Sequence, residues 1–63
     1  MEHINVKSSN IKSIFYDKEN SSLYVKFIGD TVYQYFDVNV DLYNKMLNAT
    51  SKGKFFFENI KNK

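Results

Sequence analysis

A chain of 63 residues without a single cysteine has no disulfide and no cysteine-built metal site to hold it together. Packing alone must do so. A domain of this size buries only about 60% of the surface its unfolded chain exposes, so the margin is thin. The compensation is aromatic: six Phe and five Tyr, each able to bury roughly 150–250 Å². No Pro and two Gly argue against a linker-like or disordered chain. The chain reads as one small domain spanning residues 1–63, with residues 1–6 a loose N-terminal arm.

No apolar run approaches membrane-spanning length, and the start Met1-Glu2-His3-Ile4-Asn5 has neither the basic nor the apolar part of a secretion signal. The expected location is the cytoplasm of a bacterial cell or a phage-infected host. Without secretion, the glycosylation patterns at Asn20-Ser21-Ser22 and Asn48-Ala49-Thr50 are chance matches. The formal net charge is +2, with every positive charge supplied by lysine. That is modest for a phosphate binder. The charge is uneven, however: Lys52, Lys54, Lys61 and Lys63 crowd the C-terminal end, where Glu58 is the only acid.

Hydrophobic period supplies the secondary structure. Asn10 to Tyr16 is rich in Ile and aromatics but alternates poorly, and is read as a first strand. A polar loop from Asp17 to Ser22 follows. Leu23, Val25 and Phe27 then alternate with Tyr24, Lys26 and Ile28 as a second strand. Gly29-Asp30 marks a turn into a third, Thr31 to Phe36. After Asp37 the period becomes helical, with Leu42, Tyr43, Met46, Leu47 and Thr50 on one stripe. Asn39 or Asp41 is the expected cap, and Val38 with Tyr43 the hydrophobic staple. Gly53 is the expected stop of this helix. A second helix from Lys54 to about Lys61 offers Phe56 and Ile60 to the core. The expected fold is α+β: a three-stranded antiparallel β-meander followed by two helices packed on one face.

Specific residues in this frame resemble the KTSC domain, a module named for the C-terminus of some lysyl-tRNA synthetases and also found as a stand-alone bacterial and phage protein. Val6, Ser8, Ser9, Ile11, Ile14, Tyr16 and Asp17 fit its opening pattern. Leu23, Val25, Phe27, Gly29, Tyr33-Gln34-Tyr35, Phe36 and Val38 continue it, and Tyr43, Leu47, Ala49, Ser51, Gly53, Phe56 and Ile60 fit the helical half. Asn39 stands where the family usually has Pro, and Phe57 where a polar residue is common. The resemblance implies no activity. RNA binding has been proposed for the family from the synthetase context, which is an association and not a mechanism.

Catalytic chemistry has little to draw on. His3 lacks a second His or any Cys. Ser8 and Ser9 lack a positioned base and are read as satisfying backbone groups. Asp37 and Asp41 flank a helix start and complement its dipole. No cofactor, metal site or membrane partner is expected, and no enzyme.

The tyrosines depend on the turn. With a two-residue turn, Tyr33 and Tyr35 share the solvent face with Tyr24 and Lys26 as a base-stacking surface. With a three-residue turn, Ile28-Gly29-Asp30, they join the core face. The second register removes Gln34 from the buried side and is preferred. The open face then shows Tyr24, Lys26, Ile28, Val32, Gln34 and Phe36, and the second helix shows Lys54, Phe57 and Lys61. Candidate binding residues are therefore Tyr24, Lys26, Gln34, Lys54, Phe57 and Lys61, with Tyr33 and Tyr35 added if exposed. The expected function is a small non-enzymatic module contacting RNA or another single-stranded nucleic acid through lysines and aromatics, RNA ahead of DNA. The alternative is a protein-interaction module, such as a phage-encoded inhibitor of a host protein or a self-associating homodimer.

Overall fold

The computed structural model describes residues 2–5 and 10–61. Ser8 and Ser9, Val6 and Lys63 lie outside them. Four strands form one antiparallel sheet in chain order: β1 (Glu2–Asn5), β2 (Ile11–Asp17), β3 (Ser22–Phe27) and β4 (Val32–Tyr35). Two helices follow, α1 (Val40–Asn48) and α2 (Lys52–Phe56), the second continuing as a π-helical turn over Phe57–Lys61. The fold is α+β as expected, with one correction: the sheet has four strands, not three. Residues 2–5, expected as a loose arm, pair along β2 from Glu2 opposite Tyr16 to Asn5 opposite Ser13. With Ile4 as its one apolar residue, this segment carries no alternation to read; its strand state comes from the ladder that β2 offers.

The poor alternation of β2 has a local cause. Ile11 pairs with Phe27 and Ser13 with Lys26, so the register slips between them. This bulge lets both Ile11 and Ile14 face the core although they are three residues apart. At the other end of β3, the Phe27 N–H donates to Thr31 O (2.8 Å) and the Asp30 N–H to Phe27 O (3.0 Å). The turn therefore holds three residues. Gly29 sits at φ +99, which glycine adopts without strain, and Asp30 follows at φ 69, in the left-handed region that aspartate tolerates. Val25 consequently lies opposite Tyr33 and Leu23 opposite Tyr35.

Asn39 caps α1, its Oδ1 accepting from the Leu42 N–H at 2.9 Å. Val38 before the cap and Tyr43 at the fourth helical position are both buried, as a staple requires. The expectation for Gly53 is corrected. The α1 helix stops at Asn48, with Ala49 already extended, and Gly53 is buried inside α2. The second helix begins at Lys52, ahead of the expected Lys54, because the Ser51 hydroxyl accepts from the Lys54 N–H (3.2 Å).

The core lies between one sheet face and the helices. Ile11, Ile14, Tyr16, Leu23 and Val25 meet Val38, Tyr43, Met46, Phe56 and Ile60. Tyr16 stacks on Tyr43 with ring centres 4.0 Å apart, and its hydroxyl donates to Val38 O at 2.6 Å. That bond ties β2 to the segment leading into α1. Phe56 is the hub of the second half, with Phe27, Tyr35 and Phe57 each within 6 Å of its ring centre. No helix among the described residues is long and apolar enough to cross a membrane.

Candidate functional site

The structure separates the predicted site residues into three places. Tyr24, Lys26 and Gln34 lie on the open face of the sheet. Phe57 and Lys61 stand on the π-helical turn beside Tyr33. Lys54 faces another side of the helix, in a shallow depression with Ala49, Thr50, Ser51, Phe55 and Glu58.

On the open face, a cross-strand row runs His3, Phe15, Tyr24, Gln34 through successive register positions. His3 stacks on Phe15 at 4.4 Å between ring centres. Its role is therefore packing against a neighbour, through a strand that composition did not reveal. Gln34 donates from Nε2 to the Ser22 hydroxyl at 3.3 Å. The lysines of this face are engaged. Asp30 is reached by Lys12 Nζ at 3.0 Å and by Lys26 Nζ at 3.7 Å. The Lys12 hydrogen bond is the main reason the Asp30 carboxyl is held below the ordinary carboxylate range, with both lysine charges adding to it. A surface whose cations are satisfied by an internal carboxylate has little left for phosphate.

Tyr33 brings a further correction. The preferred register is right, and it places both tyrosines on the core side, yet Tyr33 remains 56% exposed. The helices cover β2 and β3 but stop short of this end of β4. Tyr35 is half-buried against the Phe56 ring edge, 5.1 Å between centres. Burial raises the pKa of its phenol, with the neighbouring Tyr33 contributing to the same effect.

The uncovered end forms a groove of about 320 Å³. Phe27 and Tyr33 wall it on the sheet side, in an edge-on pair 5.7 Å apart. Phe57 and Lys61 wall it on the helix side, and Asn10 and Ile28 close its end. The Lys61 ammonium stands 4.6 Å from the centre of the Phe57 ring. The π-helical turn sets this pair: the Phe57 N–H reaches both Gly53 O and Lys54 O, and the helix then widens. Among the described residues, no acidic group lines the groove and no carboxylate pairs with Lys61. Aromatic walls with one cation and no anion can hold a planar ring beside a negative group. The volume is at the small end for ligand sites.

Sequence reasoning named Phe57, Lys61 and Tyr33, but did not bring them together. It assigned Phe27 to the core and did not consider Asn10. Both stand at the β2–β3 end of the sheet, where the bulge after Ile11 and the three-residue turn meet: the Ile28 N–H donates to Asn10 O at 2.9 Å. No group of three His, Cys, Asp or Glu capable of holding a metal occurs among the described residues.

The KTSC domain family model matches residues 7–63. The crystal structure of a KTSC domain protein from Yersinia pestis is similar over 98% of this chain and 87% of that one, with 39% sequence identity and a TM-score of 0.89. No curated protein matches the sequence.

Proposed function

The chain belongs to the KTSC domain family, and we propose that it works as a small non-enzymatic module that contacts single-stranded nucleic acid, RNA ahead of DNA. The observation that supports this reading is the groove between β4 and the π-helical turn. It combines the rings of Phe27, Tyr33 and Phe57 with the ammonium of Lys61. A base stacked there gains about 1–3 kcal/mol, and Lys61 lies within reach of an adjoining phosphate. The open sheet face supports the reading less, since Asp30 already engages Lys12 and Lys26.

A groove lined by a single lysine among the described residues predicts weak binding with a shallow salt dependence. Neutralising one or two phosphates of a single strand gives a slope of about −0.7 to −1.4 in log affinity against log salt. The test is a fluorescence-anisotropy titration of labelled single-stranded RNA, with DNA of the same sequence in parallel, at low and moderate salt. Phe57→Leu keeps apolar volume against Phe56 but removes the stacking face, and should weaken binding about 5- to 150-fold. Lys61→Glu, on an exposed position, should weaken binding and flatten the salt slope. Absence of any binding at low salt would overturn the reading, as would equal affinity of both variants and wild type.

A further inference from the structure

We propose that the free edge of β4 is the contact between two copies of this chain, which pair antiparallel about a two-fold axis through Gln34. The β4 strand ends the sheet, so one of its sides has no ladder partner among the described residues. Which groups face that side follows from the turn. Phe27 donates to Thr31 O, and in the same register Val25 lies opposite Tyr33 and Leu23 opposite Tyr35. These are the hydrogen-bonded pairs, so the N–H and C=O groups of Val32 and Gln34 point outward.

Edge strands are normally blunted by charge, proline or a bulge. Thr31-Val32-Tyr33-Gln34-Tyr35-Phe36 has no charged residue and no proline. Its apolar side chains are unusually open, Val32 at 51% and Phe36 at 68%. The other edge strand, β1, carries Glu2 and His3 in four residues.

The strand is also complementary to itself. With Gln34 on the axis, Val32 of one copy lies opposite Phe36 of the other on the open face, and Tyr33 opposite Tyr35 on the helix face. Every cross-strand pair from Val32 to Phe36 is then uncharged, and the two Gln34 residues meet at a hydrogen-bonded position. Beyond that span Thr31 faces the partner's Asp37. The chain leaves the sheet at Asp37, at φ 60, which limits the contact to this segment. An edge of about six residues spans roughly 20 Å, the scale of a small, concentration-dependent interface. A closed two-fold pairing uses up the β4 edge of both copies. The pairing does not depend on nucleic acid, and it is read in its absence.

Sedimentation equilibrium over a wide concentration range tests it. Wild type should rise from the 7.5 kDa monomer toward twice that mass. Gln34→Pro removes an outward-facing N–H that β3 does not use, a substitution edge strands accommodate, and should remain monomeric. Gln34→Thr, which also loses the bond to Ser22 but keeps the N–H, should still dimerise. Phe36→Lys sets a charge against the partner's Val32 and should weaken association at least tenfold, whether or not the proline variant folds. A wild-type chain that stays monomeric throughout, or a Phe36→Lys variant that associates as tightly as wild type, overturns the proposal.

Discussion

Tyr16→Phe removes a bond that ties the sheet to the helical half. The hydroxyl donates to Val38 O at 2.6 Å, and both residues are 1% exposed. Removing it leaves the ring and its stack on Tyr43 in place, so the apolar burial is unchanged. What changes is the carbonyl, which loses this donor where water has no access. A buried polar group left without its partner costs about 1–3 kcal/mol. At about 0.05–0.15 kcal/mol per residue, a domain of this length has roughly 3–9 kcal/mol in total. The substitution therefore removes a large part of the stability, and the melting temperature should fall by roughly 5–20 °C. Urea unfolding followed by far-UV circular dichroism gives the free energy. Tyr24→Phe, on the open face and only half-buried, is the matched control and should stay within about 0.5 kcal/mol of wild type. If Tyr16→Phe costs no more than Tyr24→Phe, the hydroxyl does not hold Val38 and the argument fails.

Two further predictions concern the cap and the turn. Asn39→Ala removes the acceptor for the Leu42 N–H and should cost about 0.5–2 kcal/mol in the same assay. Asn39→Pro should cost less than alanine, because Asn39 already sits at φ −72, near the proline ring's own angle; a proline variant at or below the stability of the alanine one would count against this. Asp30 titrates below its ordinary value in the folded chain, chiefly through Lys12. Its contribution to stability is full above the ordinary carboxylate value and is lost progressively as pH falls from there through the lowered value. Asp30 is exposed, so the effect is small and salt-sensitive. Asp30→Asn should flatten the acid side of the urea-midpoint profile only in part, since Asp17 is also lowered, chiefly by its bond from Asn20. Profiles of the same shape for Asp30→Asn and wild type would refute the role of this carboxylate.

Register was legible because it is a parity question. Counting three turn residues put Val25 opposite Tyr33, and Gln34 with Tyr24 on the other face. Counting from the Asn39 cap likewise located the staple at Val38 and Tyr43. Exposure is different, since it depends on how far a covering element extends. Tyr33 and Val25 share a face, yet Val25 is fully buried and Tyr33 is 56% exposed. The helices are held by Phe56 and Ile60 over the middle strands, and nothing in the alternation of β4 encodes that offset. The β1 strand was hidden for a related reason: four residues with a single apolar side chain take their conformation from β2. The bulge after Ile11 left its mark as a broken alternation, which is a signal only to a reader who knows which face each isoleucine joins. The same offset that leaves Tyr33 uncovered opens the groove beside Phe57 and strips the β4 edge of shelter. A three-residue turn and a short second helix thus create both candidate surfaces, and Lys61 and Phe36 probe them without removing a ring that packs on the buried hub at Phe56.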